Sequence, residues 1–481
     1  MKNRREFLKT SLVGGTLLLA PLAIRDAYAL GAGISASAPN EVDPWSKVPE
    51  ILRRIIPPVF PDRDFEISQF GAVGDNQTDC TEAFQKAIAA CHAAGGGRVV
   101  VLPGQYSTGA ITLLSNVNLH VSQGATIRFS HDTRKYPLVL TRWEGTELMN
   151  YSPFIYAFEQ ENIAITGSGT IDGNADCEHW WSWKGTPSCQ GKPGDVNQDK
   201  DRSQLHDLAE RGVPVKERVF GEGHYLRPTF IEPYRCKNVL IEDVTLFNSP
   251  MWHVHPVLCT NVTVRGLTIS SFGPNTDGCD PECCTDMLIE KCFFNTGDDC
   301  IAIKSGRNAD GRRVNVPSQN IIVRNCRMKD GHGGVTIGSE ITGGVNHVFA
   351  EDFTLNTQYR EAAVLRIKNN AMRGGVIEHI YARNIEVSQV GLAGLSIDFH
   401  YEEGAEGKFT PVARNIEMRN VKTQKAKYAL YLRGFKDAPI ENVRVVDCDF
   451  EGVEKPDVIE NVNDLSLKDV KENGKLVERN T

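Results

Sequence analysis

The chain has 481 residues, with 53 Lys and Arg against 61 Asp and Glu and a formal charge of −8. That acidic balance excludes nucleic acid as the general partner, while leaving room for a local basic cleft. The length suits several domains or one solenoid, which absorbs such a length as a single unit.

Residues 1–29 read as a twin-arginine signal peptide. Arg4-Arg5-Glu6-Phe7-Leu8-Lys9 places paired arginines ahead of a short apolar run, and Ala27-Tyr28-Ala29 supplies a small-residue cleavage site. The run is too short and too rich in small residues to span a bilayer, and no other segment is long and apolar enough. No membrane partner is therefore expected after cleavage. This bacterial route carries folded proteins, and the mature chain is expected in the periplasm or outside the cell. Five basic and two acidic residues leave with the signal, so 48 basic face 59 acidic in the mature chain, a charge of −11. Residues 30–60 carry Pro39, Pro44, Pro49, Pro57 and Pro58 and read as an extended lead-in to one domain over 61–481.

Asp79 to Ala94 is the one clear amphipathic helix, with Thr78 or Asp79 as its cap and Gly95-Gly96-Gly97 as its stop. It is expected to plug the N-terminal end of the repeats that follow, whose open strands invite aggregation. Residues 174–225 interrupt those repeats with His179, Trp180, Trp181, Trp183 and a charged stretch, which reads as a long inserted loop. Thirteen cysteines do not form the pattern of a small disulfide scaffold. Several, among them Cys292, Cys300, Cys326 and Cys448, occupy apolar positions of the repeats and are expected in the core. Cys279-Cys283-Cys284 has the density of a metal cluster, but no second Cys or His pair follows, so no metal is assigned. Cys177–Cys189, both in the insert, is the leading candidate for a disulfide.

One phrase recurs from Asn162 onward: Asn or Asp, apolar, any, apolar, any, Asn or Asp, apolar, any, apolar. It begins again at Asn238, Asn261, Asp286, Asn320, His347, His379, Asn415, Asn442 and Asp464. From Asn238 on, starts fall roughly 22 to 36 residues apart, in the range of solenoid coils. The period-two alternation makes each phrase strand, and the Asn or Asp at its midpoint bends the chain between two short strands. Single coils cannot bury their apolar face, whereas about ten stacked coils can. The leucine spacing and helical halves of leucine-rich repeats are missing. The fold expected is all-β, a single-stranded right-handed parallel β-helix.

Four charged motifs fall inside this run, about one repeat or a little more apart: Asn275-Thr276-Asp277, Gly297-Asp298-Asp299-Cys300, Gly331-His332-Gly333 and Arg366-Ile367-Lys368. Asp277 and Asp298 are 21 residues apart, close to one coil, so equivalent register would set them side by side. Like charges that close raise one another's pKa, giving one protonated acid and one ionised base. Asp298 and Asp299 can serve one site only at a bend, which Gly297 makes accessible; a calcium-binding or turn-capping acidic cluster is the alternative. His332 sits between glycines that allow a tight turn and leave room for a ligand. Arg366 and Lys368, two apart on a strand, project from the same face, where Arg can hold a carboxylate with two parallel bonds and Lys adds a compact charge.

In order and spacing, the four motifs resemble those of the polygalacturonases, the pectin-cleaving glycoside hydrolases of family 28. Phe70-Gly71-Ala72-Val73-Gly74-Asp75 and the stretch GDDCIAIKSG at 297–306 fit the same family, and the resemblance spans roughly residues 65–460. It implies a pectin lyase-like solenoid acting on an acidic polysaccharide (pectin, polygalacturonate or galacturonate oligomers) with no cofactor. It also implies Asp298 as general acid and Asp277 and Asp299 as the pair that holds and deprotonates water. His332 would tune the acid, directly or through water. Arg366 and Lys368 would bind the galacturonate carboxylate, with Asn275 in support and Lys304, Arg307 and Arg373 adding cations. The family inverts configuration, which asks for carboxyls about 6.5–9.5 Å apart. Asn369-Asn370 follow the Arg-Ile-Lys, where many relatives differ. The bulky insert at 174–225, by closing one end of the cleft, would favour exo attack from the non-reducing end, and the resemblance is to bacterial exo-type members. Two rival readings share the fold. A calcium-dependent pectate lyase would need metal and leave an unsaturated product, and a pectin-binding β-helix would release no reducing ends.

Overall fold

A computed structural model describes residues 43–185, 189 and 194–480. The twin-arginine segment and most of the first half of the lead-in lie outside the described residues. From Asn162 on, each phrase forms short strands that pair in parallel with their counterparts one coil away. Glu161–Thr166 pairs with Lys237–Glu242, then Thr260–Arg265, Thr285–Glu290 and Ser318–Arg324 follow in turn. The ladder continues through Val345–Asn356, Val376–Gln389, Val412–Thr423, Ile440–Val446 and Val462–Glu472. Its register stacks Ile163, Val239, Val262, Met287, Ile321, Val348, Ile380, Ile416, Val443 and Leu465 in one column, and all ten are buried. Each such side chain stabilises by roughly 1.5–3 kcal/mol. The result is the expected right-handed parallel β-helix.

The residue that opens each phrase has a second function that the alternation did not reveal. Asn162, Asn238, Asn261, Asp286 and Asn320 all take φ between 54° and 57°, and the phrase-opening residues after them stay near that value. Asn and Asp tolerate this left-handed region better than other non-glycine residues. Their side chains then form a ladder of their own. Asn238 Nδ2 donates to Asn162 Oδ1 at 2.8 Å, Asn261 Nδ2 to Asn238 Oδ1 at 2.8 Å and Asn320 Nδ2 to Asp286 Oδ1 at 3.0 Å. Where histidines replace asparagines, at His347 and His379, the rings stack 4.8 Å apart. The midpoint residues Asp243, Lys291, Asn325 and Asp352 also have positive φ, which supplies the expected bend.

A six-stranded parallel sheet forms the face that carries the charged motifs. It contains β1 (Ile301–Ile303), β2 (Gly333–Ile337), β3 (Ala363–Lys368) and β4 (Ala393–Asp398), followed by Tyr428–Arg433 and Val458–Glu460. Asp298-Asp299 and His332 lie in the turns just before β1 and β2, and Arg366 and Lys368 lie on β3 itself.

Three details differ from the sequence expectation. The lead-in is not extended throughout: Pro44–Lys47 is a 3₁₀ turn and Val48–Arg54 is helix α1, whose Trp45, Val48 and Ile51 pack on Leu288, Ile322 and Phe349. Pro49 fits because the first turn of a helix needs no backbone N–H there. Helix α2 runs Thr81–Ala93, with Cys80 at its N-cap and Asp79 Oδ1 accepting from the Thr81 N–H at 3.0 Å. Its Phe84, Ala87, Ile88 and Cys91 join the main core, and the helix contacts the early strands Asp64–Glu66 and Gly97–Val101. The insert is not only loop, since Asp199–Glu210 forms helix α3 and buries Leu205 and Ala209. Its few apolar residues hid it from a periodicity reading. Cys177 and Cys189 are disulfide-bonded, and the other eleven cysteines are free and buried.

The asparagine ladder can be tested at Asn261, which also accepts from Ile56 N–H and donates to Ile56 O. Asn261→Ala is expected to destabilise by about 2–3 kcal/mol, combining the left-handed backbone cost with lost hydrogen bonds. Asn261→Gly, free of the backbone cost, should lose about half as much. Equal urea midpoints for the two variants would remove the backbone contribution from this account.

Candidate active site

Asp277 lies in a turn whose Cys279 is bridged to Val254 on one side and Ile301 on the other. The offset from Cys279 to Ile301 is 22 residues, one more than the sequence spacing suggested. Asp277 is therefore level with Asp299, and Asp298 sits one place earlier. Asp298 and Asp299 occupy a bend between strand Phe293–Thr296 and β1, so adjacent carboxylates reach one cleft as expected. Gly297 is required by a close approach, since a Cβ there would lie 2.6 Å from Gly273 O. Gly331 and Gly333 leave room, but for protein atoms. A Cβ on Gly331 would meet Cys300 Sγ at 2.7 Å, and one on Gly333 would meet Thr336 Oγ1 at 2.3 Å and Asp299 Oδ1 at 3.0 Å.

The sequence-predicted residues converge. Asp277, Asp298 and Asp299 each bring a carboxylate oxygen within 4.8 Å of the other two. His332 Nδ1 lies 3.1 Å from Asp298 Oδ1, a direct contact. Asn275 Nδ2 donates to Asp298 Oδ2 at 3.4 Å, and its Oδ1 accepts from Arg227 at 2.7 Å. On β3, Lys368 Nζ donates to Asp299 Oδ2 at 2.8 Å, and Arg366 Nη1 is 3.8 Å from Asp299 Oδ1. Thr336 on β2 donates to Asp299 Oδ1 at 2.9 Å. These carboxylates open on a cleft of about 220 Å³ whose lining also includes Lys184, Arg202, Trp252, Lys304, Glu340 and Tyr401.

The sequence model of glycosyl hydrolases family 28 matches residues 216–471, a span that holds all four motifs. The chain belongs to that family. It is 29% identical over 394 residues to a probable polygalacturonase of Vitis vinifera, covering 78% of this chain and 71% of that one. It is 27% identical over 356 residues to the exo-poly-alpha-D-galacturonosidase of Dickeya chrysanthemi, covering 70% of this chain and 57% of that one. Among solved structures, a hyperthermoactive exopolygalacturonase from Thermotoga maritima superposes with a TM-score of 0.87 at 44% identity, covering 91% of this chain and 99% of that one.

Electrostatics divide the three carboxyls of this family 28 site. Burial, then the nearby charges of Asp298 and Asp280, drive the Asp277 carboxyl well above the ordinary range and favour its protonated form. Burial would also raise Asp298, but the His332 hydrogen bond and charge outweigh it and hold Asp298 below its usual value. Asp299 is pulled down further, since Lys368 and Arg366 overcome its burial. His332 is pushed up: burial opposes its charge, and the Asp298 hydrogen bond and charge prevail. These shifts favour a proton on Asp277, oppose one on Asp299 and set His332 to share one with Asp298. Mutual repulsion between Asp277 and Asp298 left open which of them keeps the proton, and burial of Asp277 together with the imidazole beside Asp298 favours Asp277.

Several contributing residues escaped the sequence reading. Asp280, three residues after Asp277, is buried and pushed up to about 7 by its burial, with Lys304 and His255 opposing. Its place in the same turn as Asp277 was the available signal. Lys304, noted as a nearby cation, lines the cleft and pairs with Glu340 at 3.1 Å and Asp280 at 3.6 Å. Arg307 and Arg373 stand behind it, paired with Glu340, Glu402 and Glu403. Tyr401, between repeats, presents its ring to Lys368 at 5.3 Å. The insert tryptophans do not wall the cleft. Trp180 is buried in the core, Trp181 donates to Ser249 O at 2.8 Å, and Trp183 packs on Tyr151 and Tyr225.

Cys279, Cys283 and Cys284 do not form a ligand set: Cys279 and Cys284 join the apolar core, and the Cys283 sulfur accepts from Arg142. Among the described residues, two groups bring three ligand-type side chains together, the aspartate trio and His131–Asp176–His179. In the trio, Lys368 and His332 already supply the neutralising positive charge. In the second, His131 bonds to Asn174 O and His179 to Asp176, so each imidazole has a protein partner.

Because Asp298 raises it, His332 should keep its proton as pH rises past its ordinary value of 6.5. Titrating the imidazole by NMR checks this, with Asp298→Asn expected to bring the midpoint down. An unchanged midpoint in that variant would break the pairing described here.

Proposed function

We propose that this family 28 protein is an exo-acting polygalacturonase that hydrolyses α-1,4-galacturonosyl linkages of pectic chains. The observation that carries the reading is the His332–Asp298 pair set against the ionised Asp299 under Lys368 and Arg366. That arrangement supports proton donation beside proton acceptance, in a chain closely similar to an exopolygalacturonase.

Asp298 is the residue we assign to the glycosidic oxygen. The proton comes from the His332–Asp298 pair, and an arriving substrate carboxylate adds negative charge that favours its transfer to Asp298. As the C1–O bond breaks, the leaving sugar takes that proton. Water between Asp277 and Asp299 attacks C1 and gives its proton to Asp299, the carboxylate held ionised. Asp277, protonated in the free site, orients the water through a hydrogen bond. Arg366 and Lys368 hold a substrate carboxylate, which requires Lys368 to share its charge between Asp299 and the sugar. Attack from the side opposite the leaving group inverts C1. The 4.8 Å limit between nearest oxygens is below the 6.5–9.5 Å that inversion asks of the two carboxyl groups. Nearest oxygens understate the separation of whole groups, and ¹H NMR of the first product anomer decides the point. The lyase reading is disfavoured because protein cations already neutralise the acidic trio.

The product profile from polygalacturonate and galacturonate oligomers, in chelator, tests the assignment. Galacturonic acid alone from the outset is expected, and a ladder of oligomers would make the action endo. Asp298→Asn should lower kcat by about 10²–10⁴, the usual share of general acid catalysis. Products that survive that change, or an unsaturated product that needs calcium, would overturn the site.

We also propose export through the twin-arginine route, supported by Arg4-Arg5 and Ala27-Tyr28-Ala29. In a bacterial host, activity should partition to the periplasm or medium, and replacing both arginines by lysine should retain it in the cytoplasm. Unchanged partition would refute this route.

A further inference from the structure

Lys184 differs from the other cations that line the cleft. Arg202 pairs with Glu144 at 2.7 Å, Lys304 with Glu340 at 3.1 Å and Lys368 with Asp299 at 2.8 Å. Among the described residues, Lys184 has no carboxylate at ion-pair distance, although its side chain lines the same cleft as Asp298 and Asp299. It is half-buried, and its pKa is lowered by that burial and by Arg227 and Arg202, with Glu144 opposing. A partly desolvated charge without a partner is unfavourable, and an entering anion relieves it.

The position is built, not a free surface lysine. Lys184 ends the 3₁₀ turn Trp181–Lys184. Trp180 is sunk in the core ahead of the turn, and the Trp181 indole is tied to Ser249 O. The Trp183 carbonyl accepts from Gln198 N–H at 2.7 Å, at the start of α3. Gly185 follows with φ of 68° and closes the turn on Ser182 O, where any Cβ would meet Asn197 at 2.6 Å. Three tryptophans thus fix a short turn whose last side chain faces the cleft.

A galacturonan carries one carboxylate on every sugar, and in the proposed function Arg366 and Lys368 are assigned to one of them. We propose that Lys184 holds the carboxylate of the neighbouring galacturonate, forming a second acid-reading subsite contributed by the insert. The inference rests on the polygalacturonase reading and adds a substrate requirement to it. Two consecutive free carboxylates, one on each side of the cleaved bond, are needed for full efficiency.

The experiment compares kcat/KM on digalacturonate and on its two mono-methyl esters, for wild type, Lys184→Met and Lys184→Arg. Wild type should discriminate against both esters. Lys184→Met should lose about tenfold to a hundredfold on digalacturonate, the range for a charge-assisted hydrogen bond, mostly through KM. It should also lose discrimination against one ester and keep it against the other, and Lys184→Arg should restore most of both. Retention of both discriminations by Lys184→Met overturns the assignment, as does an equal loss on all three substrates, the sign of a merely structural lysine. A wild type that releases nothing from any galacturonate chain instead overturns the hydrolase reading, and the Lys184 subsite with it.

Discussion

Register between neighbouring coils is the constraint on which the site depends. A one-residue slip in a parallel ladder would turn every apolar side chain of a strand outward, so the buried column from Ile163 to Leu465 pins each coil to the next. The asparagine ladder pins it a second time, through side-chain bonds that close only when phrase-opening residues are level. With register fixed twice, residues about twenty or more apart in sequence are brought level with one another. Asp277 is level with Asp299 because Cys279 is bridged to Ile301. Thr336 meets Asp299 because β1 and β2 pair with an offset of 34 residues, Ile301 opposite Val335.

Three carboxylates this close cannot all be charged without compensation, and the compensation is graded. Asp299 receives most, from Lys368 and Arg366. Asp298 receives an imidazole, a charge that can itself leave as a proton. Asp277 is buried among like charges and receives only the more distant Lys304. Below the cleft, His255 is buried between Glu232 and Glu282 and pushed up to about 9, because those two partners outweigh its burial. This layer extends the same pattern of alternating charge into the core. Stacked coils make such alternation accessible, since each coil contributes one residue per level.

The fold was legible because it repeats. Ten copies of a period-two phrase leave little else for the chain to become, and the Asn or Asp at most phrase midpoints already announced the bends. The same regularity exposed the four motifs, which stand out as charged interruptions of an apolar pattern. What was not legible lies off the repeat. Helix α3 has too few apolar residues to declare a helical face. Glu340 and Tyr401 are single residues in turns, without a partner in sequence to mark them. The protonation order was also hidden, because it follows from His332 touching Asp298 and Lys368 touching Asp299. Those contacts depend on offsets of 34 and 69 residues, which spacing alone gives only to within a residue or two.

The division between repeat and insert also divides the chemistry. Residues that touch the reacting bond under this reading all come from coils, where two ladders hold their positions. Arg202 and Lys184 come from the insert, held by α3 and by anchored tryptophans, and they line the cleft without contacting the aspartate trio. A change in the insert can therefore alter which sugar carboxylates are read while the proton-transfer geometry stays fixed. The disulfide Cys177–Cys189 serves the same separation. It closes a short loop around the Lys184 turn and limits the conformations available to the unfolded insert without involving a coil residue. Catalysis is assigned to what repeats, and selectivity to what interrupts it.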